Sequence, residues 1–262
     1  MQRLSQQSSH SSTAINWRHA LLLLIVLGSL ALVLAMQSIG QIPDYHDFAD
    51  RRAFFGVPNF FDVISNIPFL LVGIAGMRFC HANRLLSSRP AWFIFFAGVA
   101  IISAGSVYYH LNPNSGTLLW DRLPMTIAFM GLLVALLAEY VNAQLARYLL
   151  LPALLAGFSS VLYWHWFYDL RFYVWIQFIP LLMIPVVMVL FPRKYSHQWL
   201  LPTALAVYLL AKVAEAYDRE VFMFSQGLLS GHTLKHLLAA LSCFAVLMML
   251  KMRSLPSAIN KG

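Results

Sequence analysis

The 262-residue chain is 60% hydrophobic and only 11% charged, with a mean hydropathy of +0.69. Soluble domains are about 45–50% apolar and about 25% charged, so this composition excludes a soluble enzyme, a disordered chain and a nucleic-acid-binding domain, and leaves a polytopic membrane protein. The net charge of +8 is then a matter of loop topology and implies no nucleic-acid partner, while Cys80 and Cys243 make neither a metal pattern nor a disulfide framework.

Crossing a bilayer core about 30 Å thick takes about 20 apolar residues. Residues 1–19 are Ser/Gln-rich at their start and read as a disordered cytoplasmic tail. The stretch Ala20–Gln37, within residues 20–40, has a basic start, an apolar run and small residues near Ala35. That pattern describes either an extra transmembrane helix or a long signal peptide. Residues 41–251 carry seven further spans, at Phe60–Cys80, Ala91–His110, Asp121–Tyr140, Tyr148–Trp166, Phe172–Phe191, Trp199–Tyr217 and His232–Leu250, and residues 252–262 form a short tail. No stretch alternates at period two as a barrel strand would, so the expected fold is an all-α transmembrane bundle.

Counting basic residues on alternate sides puts Arg3, Arg18, Arg78, Arg84, Arg89, Arg147, Arg193, Lys194, Lys251, Arg253 and Lys261 together, against Arg51, Arg52, Arg122, Arg171 and Arg219. The positive-inside rule then places both termini in the cytoplasm, and the short loops suit a bacterial inner membrane. Lys212 and Lys235 lie inside helices.

Ionisable groups within membrane spans are costly and are functional candidates by default. Ser106 and His110 end the third span, Asp121 starts the fourth, and His232 and His236 start the eighth. Each i, i+4 pair shares a helix face, which taken alone fits a snorkelling histidine or a serine bonded to a backbone carbonyl. With the derived orientation, however, all three elements meet at the outer boundary of the hydrocarbon. Three histidines and a carboxylate at one depth are the inventory of a catalytic zinc site that keeps a position for water. Lys212, Glu215 and Asp218, at i, i+3 and i+6, read as an internal ion-paired face of the seventh span, with a proton relay as the alternative. His46 reads as a loop residue and His165 as an interfacial anchor.

The spacing of Ser106, His110 and Asp121, followed by GHxxxH at His232 and His236, resembles the signature of the alkaline ceramidases, within the CREST superfamily of seven-helix membrane hydrolases. The segment Asn59–Gly76, with an aromatic pair and then Ser-Asn before an apolar run, is similar to that family's first helix. The likeness runs from about Asp44 to Leu250, leaving the first helix as an addition to a seven-helix core. It implies zinc held by His110, His232 and His236, proton handling by Asp121, and support of the water or oxyanion by Ser106. Asp121 as a metal ligand, or as a partner of a ligating histidine, is the rival assignment. It also implies calcium at Asp44, Asp47, Asp50 and Asn59, although Asn59 stands where an acid is expected and the loop carries an extra residue; a solvated acidic loop is the alternative. The implied activity is hydrolysis of the amide bond of a ceramide-like lipid substrate to a fatty acid and a free amine base. The alternatives are action on another lipid amide or ester, a receptor-like protein, and a proton-coupled transporter.

Overall fold

The computed structural model describes residues 16–83, 86, 88–192 and 195–254. Most of the two expected tails, and Arg3, Arg84, Arg193, Lys194 and Lys261 of the orientation count, lie outside the described residues. Within them the chain is an all-α bundle, with one isolated bridge between Phe54 and Val57 and no strand. Helix α1 (Trp17–Ala35) is followed by a 3-10 turn at Pro43–His46, the short α2 (Phe60–Ile64) and α3 (Ile67–Ala82). Then come α4 (Arg89–Leu111), α5 (Ser115–Tyr140), α6 (Leu145–Phe167), α7 (Arg171–Leu190), α8 (Leu200–Ala216), α9 (Asp218–Phe224) and α10 (Gly231–Met252). Among the described residues seven helices are long and apolar enough to cross a membrane, with α2 and α3 counted as one span, or eight if the bent pair α8 and α9 also makes one.

Helix α1 begins earlier than expected, because the Asn16 side chain accepts the Arg18 N–H and caps it. Residues 17–19 are therefore helical, while 36–40 are not. Apart from Leu22 its surface is unburied, and it lies along α7. Three bonds secure it there: the Trp175 indole donates to Ser29 at 3.0 Å, and Arg171 donates to the free carbonyls of Leu34 (2.8 Å) and Met36 (2.6 Å). Asp169 in turn holds the Arg171 guanidinium at 2.7 Å and accepts the Ile39 N–H at 3.3 Å. Those bonds from Arg171 keep the Asp169 carboxyl below its usual range.

Helix α5 is the central element, wrapped by α4, α6 and α7. Pro124 has no N–H for the carbonyl of Trp120 one turn earlier. That carbonyl instead faces Gly105 of α4, where an added Cβ would stand 2.2 Å from it. The two backbones thus meet at a glycine, a close approach typical of helices packed in lipid, and the contact brings Ser106 beside Asp121.

The expected seventh span is broken. At 17 residues α8 rises about 26 Å, and α9 leaves it at 85°. The break occurs at Tyr217 because the residues beyond it are committed to the start of α10. Gly231 passes so close that a Cβ would lie 2.1 Å from the Ala214 carbonyl and 2.6 Å from the Cα of Asp218. A second interruption separates α2 from α3 at Ser65 and Asn66, whose side chains donate to the carbonyl of Asp62 at 3.1 and 2.7 Å.

Candidate metal centre

His110 closes the last turn of α4, and His232 and His236 project from successive turns of α10. All three are buried, and one ring nitrogen from each lies within 4.8 Å of the others. The Nε2 atoms of His110 and His232 are 3.2 Å apart. This is the grouping among the described residues that could hold a metal ion.

Neighbouring groups fix the rings. Nδ1 of His236 lies 2.8 Å from the Ser65 hydroxyl, which itself donates to the Asp62 carbonyl. Ser65 has then spent its proton, so His236 Nδ1–H is the donor and Nε2 keeps its lone pair for a metal. Asn59, in the left-handed region at φ 46°, donates to the carbonyl of His110 at 2.8 Å. Asp218 accepts the N–H of His232 at 2.7 Å and that of Ala49 at 2.8 Å, joining the start of α10 to the loop before α2. From that loop Phe48 packs on His110 and His232, with ring centroids 4.8 and 4.4 Å away. His46, as expected, is a loop residue outside the cluster: it contacts the Tyr109 hydroxyl at 2.8 Å and the Ser115 hydroxyl at 3.4 Å. Burial first, and the nearby Arg122 second, depress its basicity below the ordinary value. Arg122 itself is buried, stacked 4.0 Å over Trp164 and bonded to Gln41 at 2.7 Å.

Ser106 and Asp121 are neighbours and line one cavity with His236, Lys235 and Glu215. The cavity encloses about 950 Å³ of empty space, counting its opening, and continues between apolar side chains that include Val99, Leu132, Ile184 and Val246. From Lys235 to Val246 the axis of α10 advances about 16 Å. Asp121 is in the cavity wall but not in the nitrogen cluster.

The expected ion-paired face of α8 is only half right. Lys212 pairs with Glu215, but Asp218 lies past the break and bonds backbone instead. Its place is taken by Lys235 of α10, 3.0 Å from Glu215 and 3.2 Å from Nε2 of His232. The oxygen set expected for calcium is dispersed. Asp47 pairs with Arg51 and Arg219, Asp50 holds Arg52 at 2.6 Å, Asn59 bonds His110, and Asp44 is exposed in the 3-10 turn. Arginines already neutralise two of these carboxylates, which removes the charge that draws calcium to such a loop.

Sequence reasoning overlooked Ser65, Asp62 and the site role of Lys235. Asp62 is buried and accepts from Thr233 at 2.6 Å, fastening α2 to α10 between the two histidines. The visible signals were an acid and a serine in an apolar stretch and a lysine between His232 and His236. No family model and no curated protein matches the chain.

Proposed function

We propose that the chain is a zinc-dependent integral-membrane hydrolase that cleaves the amide bond of a ceramide-like N-acyl lipid to a fatty acid and a free amine. The observation that carries this reading is a buried three-histidine cluster, one member of which, His236, lines a long apolar cavity together with Ser106 and Asp121. The Nε2 atoms of His110 and His232 are 3.2 Å apart and the His236 nitrogen lies within 4.8 Å of both, so the three residues would hold one ion between them. All-nitrogen donors suit zinc rather than calcium or magnesium. When bound, zinc supplies Lewis acidity that polarises the amide carbonyl and makes water a nucleophile at neutral pH.

The chain's own groups move the protons. Asp121 lines the cavity beside Ser106, and in its ionised form it would accept the Ser106 hydroxyl. It takes a proton from the attacking water as the oxygen adds to the acyl carbon, and returns it to the departing nitrogen as the C–N bond breaks. While Asp121 is ionised, the single proton of Ser106 is committed to it. Once Asp121 carries the proton and becomes the donor, the Ser106 O–H is released toward the oxyanion. The apolar walls around Val99, Leu132 and Val246 receive the acyl chain. By the positive-inside count the site faces the outer leaflet of a bacterial inner membrane.

The test is metal analysis of purified protein together with lipid-product profiling on ceramide and other N-acyl lipids, with and without chelator. One zinc per chain is expected, lost in the triple-histidine variant, with fatty acid and free base released only by the loaded protein. Normal turnover in His232→Ala would sink the metal assignment, and no product from any N-acyl lipid would sink the hydrolase.

A further inference from the structure

Lys235 is a charged group that the proposed proton pathway does not use, yet it lines the same cavity as Ser106, Asp121 and His236. With Lys212 it brackets Glu215, so two ammonium groups from two helices share one carboxylate. Glu215 and Lys235 are each only 18% exposed whereas Lys212 is 42% exposed, so Lys235 is the ammonium held largely away from water. Ion clusters inside a bundle are expected to balance: Asp121, in the same cavity wall, balances the second ammonium while it is ionised, and once it holds a proton an anion from the ligand would do so. An ammonium also has three N–H donors. One of Lys235's goes to Glu215 and another lies 3.2 Å from Nε2 of His232. When a metal claims that nitrogen, two donors of Lys235 are open to the cavity beside the groups that would cut the amide.

We propose that Lys235 is an anion-recognising residue, and that the lipid taken by this cavity carries an anionic group next to its amide, as an N-acyl amino acid does, rather than a neutral alcohol headgroup. The substrate class rests on the hydrolase reading; recognition of the anion does not. The apolar cavity takes the acyl chain, the scissile amide lies at the level of Asp121 and His236, and the headgroup anion sits against Lys235, with Lys212 behind Glu215 adding to the positive field. Glu215 then has a second part: it holds Lys235 in place and competes with the ligand for it.

The experiment compares N-oleoylglycine with N-oleoylethanolamine, two amides with the same acyl chain whose headgroups end in a carboxylate or a hydroxyl. Binding is measured by displacement of a fluorescent fatty amide from full-length, as-purified protein in detergent, both with Asp121 intact, read before turnover, and in an Asp121→Asn background in which the amides persist; the preference must appear in both, because the substitution itself removes a negative charge beside Lys235. A charge-assisted bond predicts roughly tenfold tighter binding of the glycine conjugate. Lys235→Met removes that preference by weakening the glycine conjugate alone, Lys235→Arg retains it, and Glu215→Gln widens it. Equal affinities in the parent protein, or a preference that survives Lys235→Met, would overturn the inference. So would oleate binding as tightly as N-oleoylglycine, since the anion would then sit at the end of the acyl chain. If the preference holds but protein with Asp121 intact hydrolyses neither amide, the hydrolase reading fails and anion recognition stands.

Discussion

Asp218 accepts the backbone N–H of His232 at 2.7 Å while its other oxygen accepts the N–H of Ala49 at 2.8 Å. One carboxylate therefore ties the first turn of α10, the break after α8 and the loop carrying Phe48 into a single unit around the histidines. A carboxylate at a helix start also meets the positive end of the helix dipole. Asp218→Ala leaves two N–H groups without partners, at a cost of about 1–3 kcal/mol each where they stay dry. Thermal unfolding in detergent should record the loss, with weaker metal retention on dialysis. An unchanged melting temperature and metal content would show that water replaces Asp218 without penalty.

Ser65 receives the Nδ1–H of His236 and so selects the tautomer that presents Nε2. Partners of this kind are typically worth about 10–100-fold in metal affinity. Ser65→Ala is expected to lower zinc affinity by that order in competition with a chromophoric chelator, leaving the helical content measured by circular dichroism intact. Ser65→Thr, which keeps the hydroxyl, should restore part of the loss.

Gly231 sits where a Cβ would meet the Ala214 carbonyl at 2.1 Å and the Cα of Asp218 at 2.6 Å. Both obstacles are backbone and cannot rotate aside. Gly231→Ala must displace α10 from the α8–α9 junction, at a cost of about 1–3 kcal/mol or more, and shifts His232 away from His110. The check is thermal stability alongside metal content, both of which should fall. Gly28→Ala, at a position with nothing within 4 Å, is the matched control and should change neither.

Acid should loosen the docking of α1. The folded-state value of Asp169 is depressed by its bonds to Arg171, so its contribution to stability is complete above the ordinary value of 3.8 and is lost as pH falls through the lower folded value. The difference in melting temperature between the wild type and Asp169→Asn should be largest near pH 6 and shrink toward about pH 2.5. A difference constant across that range would remove Asp169 from the α1 anchor.

The bundle was legible because hydropathy reports uninterrupted apolar length, and every expected span has a helix beneath it. The histidines were legible for a different reason: reading the chain as alternating spans brings the ends that carry His110, His232 and His236 to one side, and the three are found together. The break at Tyr217 was not, because composition around Val213–Val221 stays helical and the cause, Gly231 pressing on Ala214, is distant in sequence. The pairing of Glu215 with Lys235 escaped for a related reason. Spacing within a helix predicts partners on that helix, as it did for Lys212, and is silent about a neighbour that arrives from α10. Ser65 was hidden by the interruption that gives it its role, since an unbroken helix through Ile64 and Ile67 offers no reason for its side chain to meet His236.

The dependence of α1 on α7 bears on how the chain is made. Met36 and Arg171, joined at 2.6 Å, are 135 residues apart. At synthesis rates of about 5–20 residues per second, the first helix leaves the ribosome roughly 7–27 s before its partner exists. During that interval the Ser29 hydroxyl has only its own helix's Val26 carbonyl and lacks the Trp175 indole it later receives, and the carbonyls of Leu34 and Met36 lack the Arg171 guanidinium. Biogenesis therefore includes a period in which an orphan helix diffuses beside a growing bundle, a natural moment for an insertion chaperone or a quality-control protease to act on it.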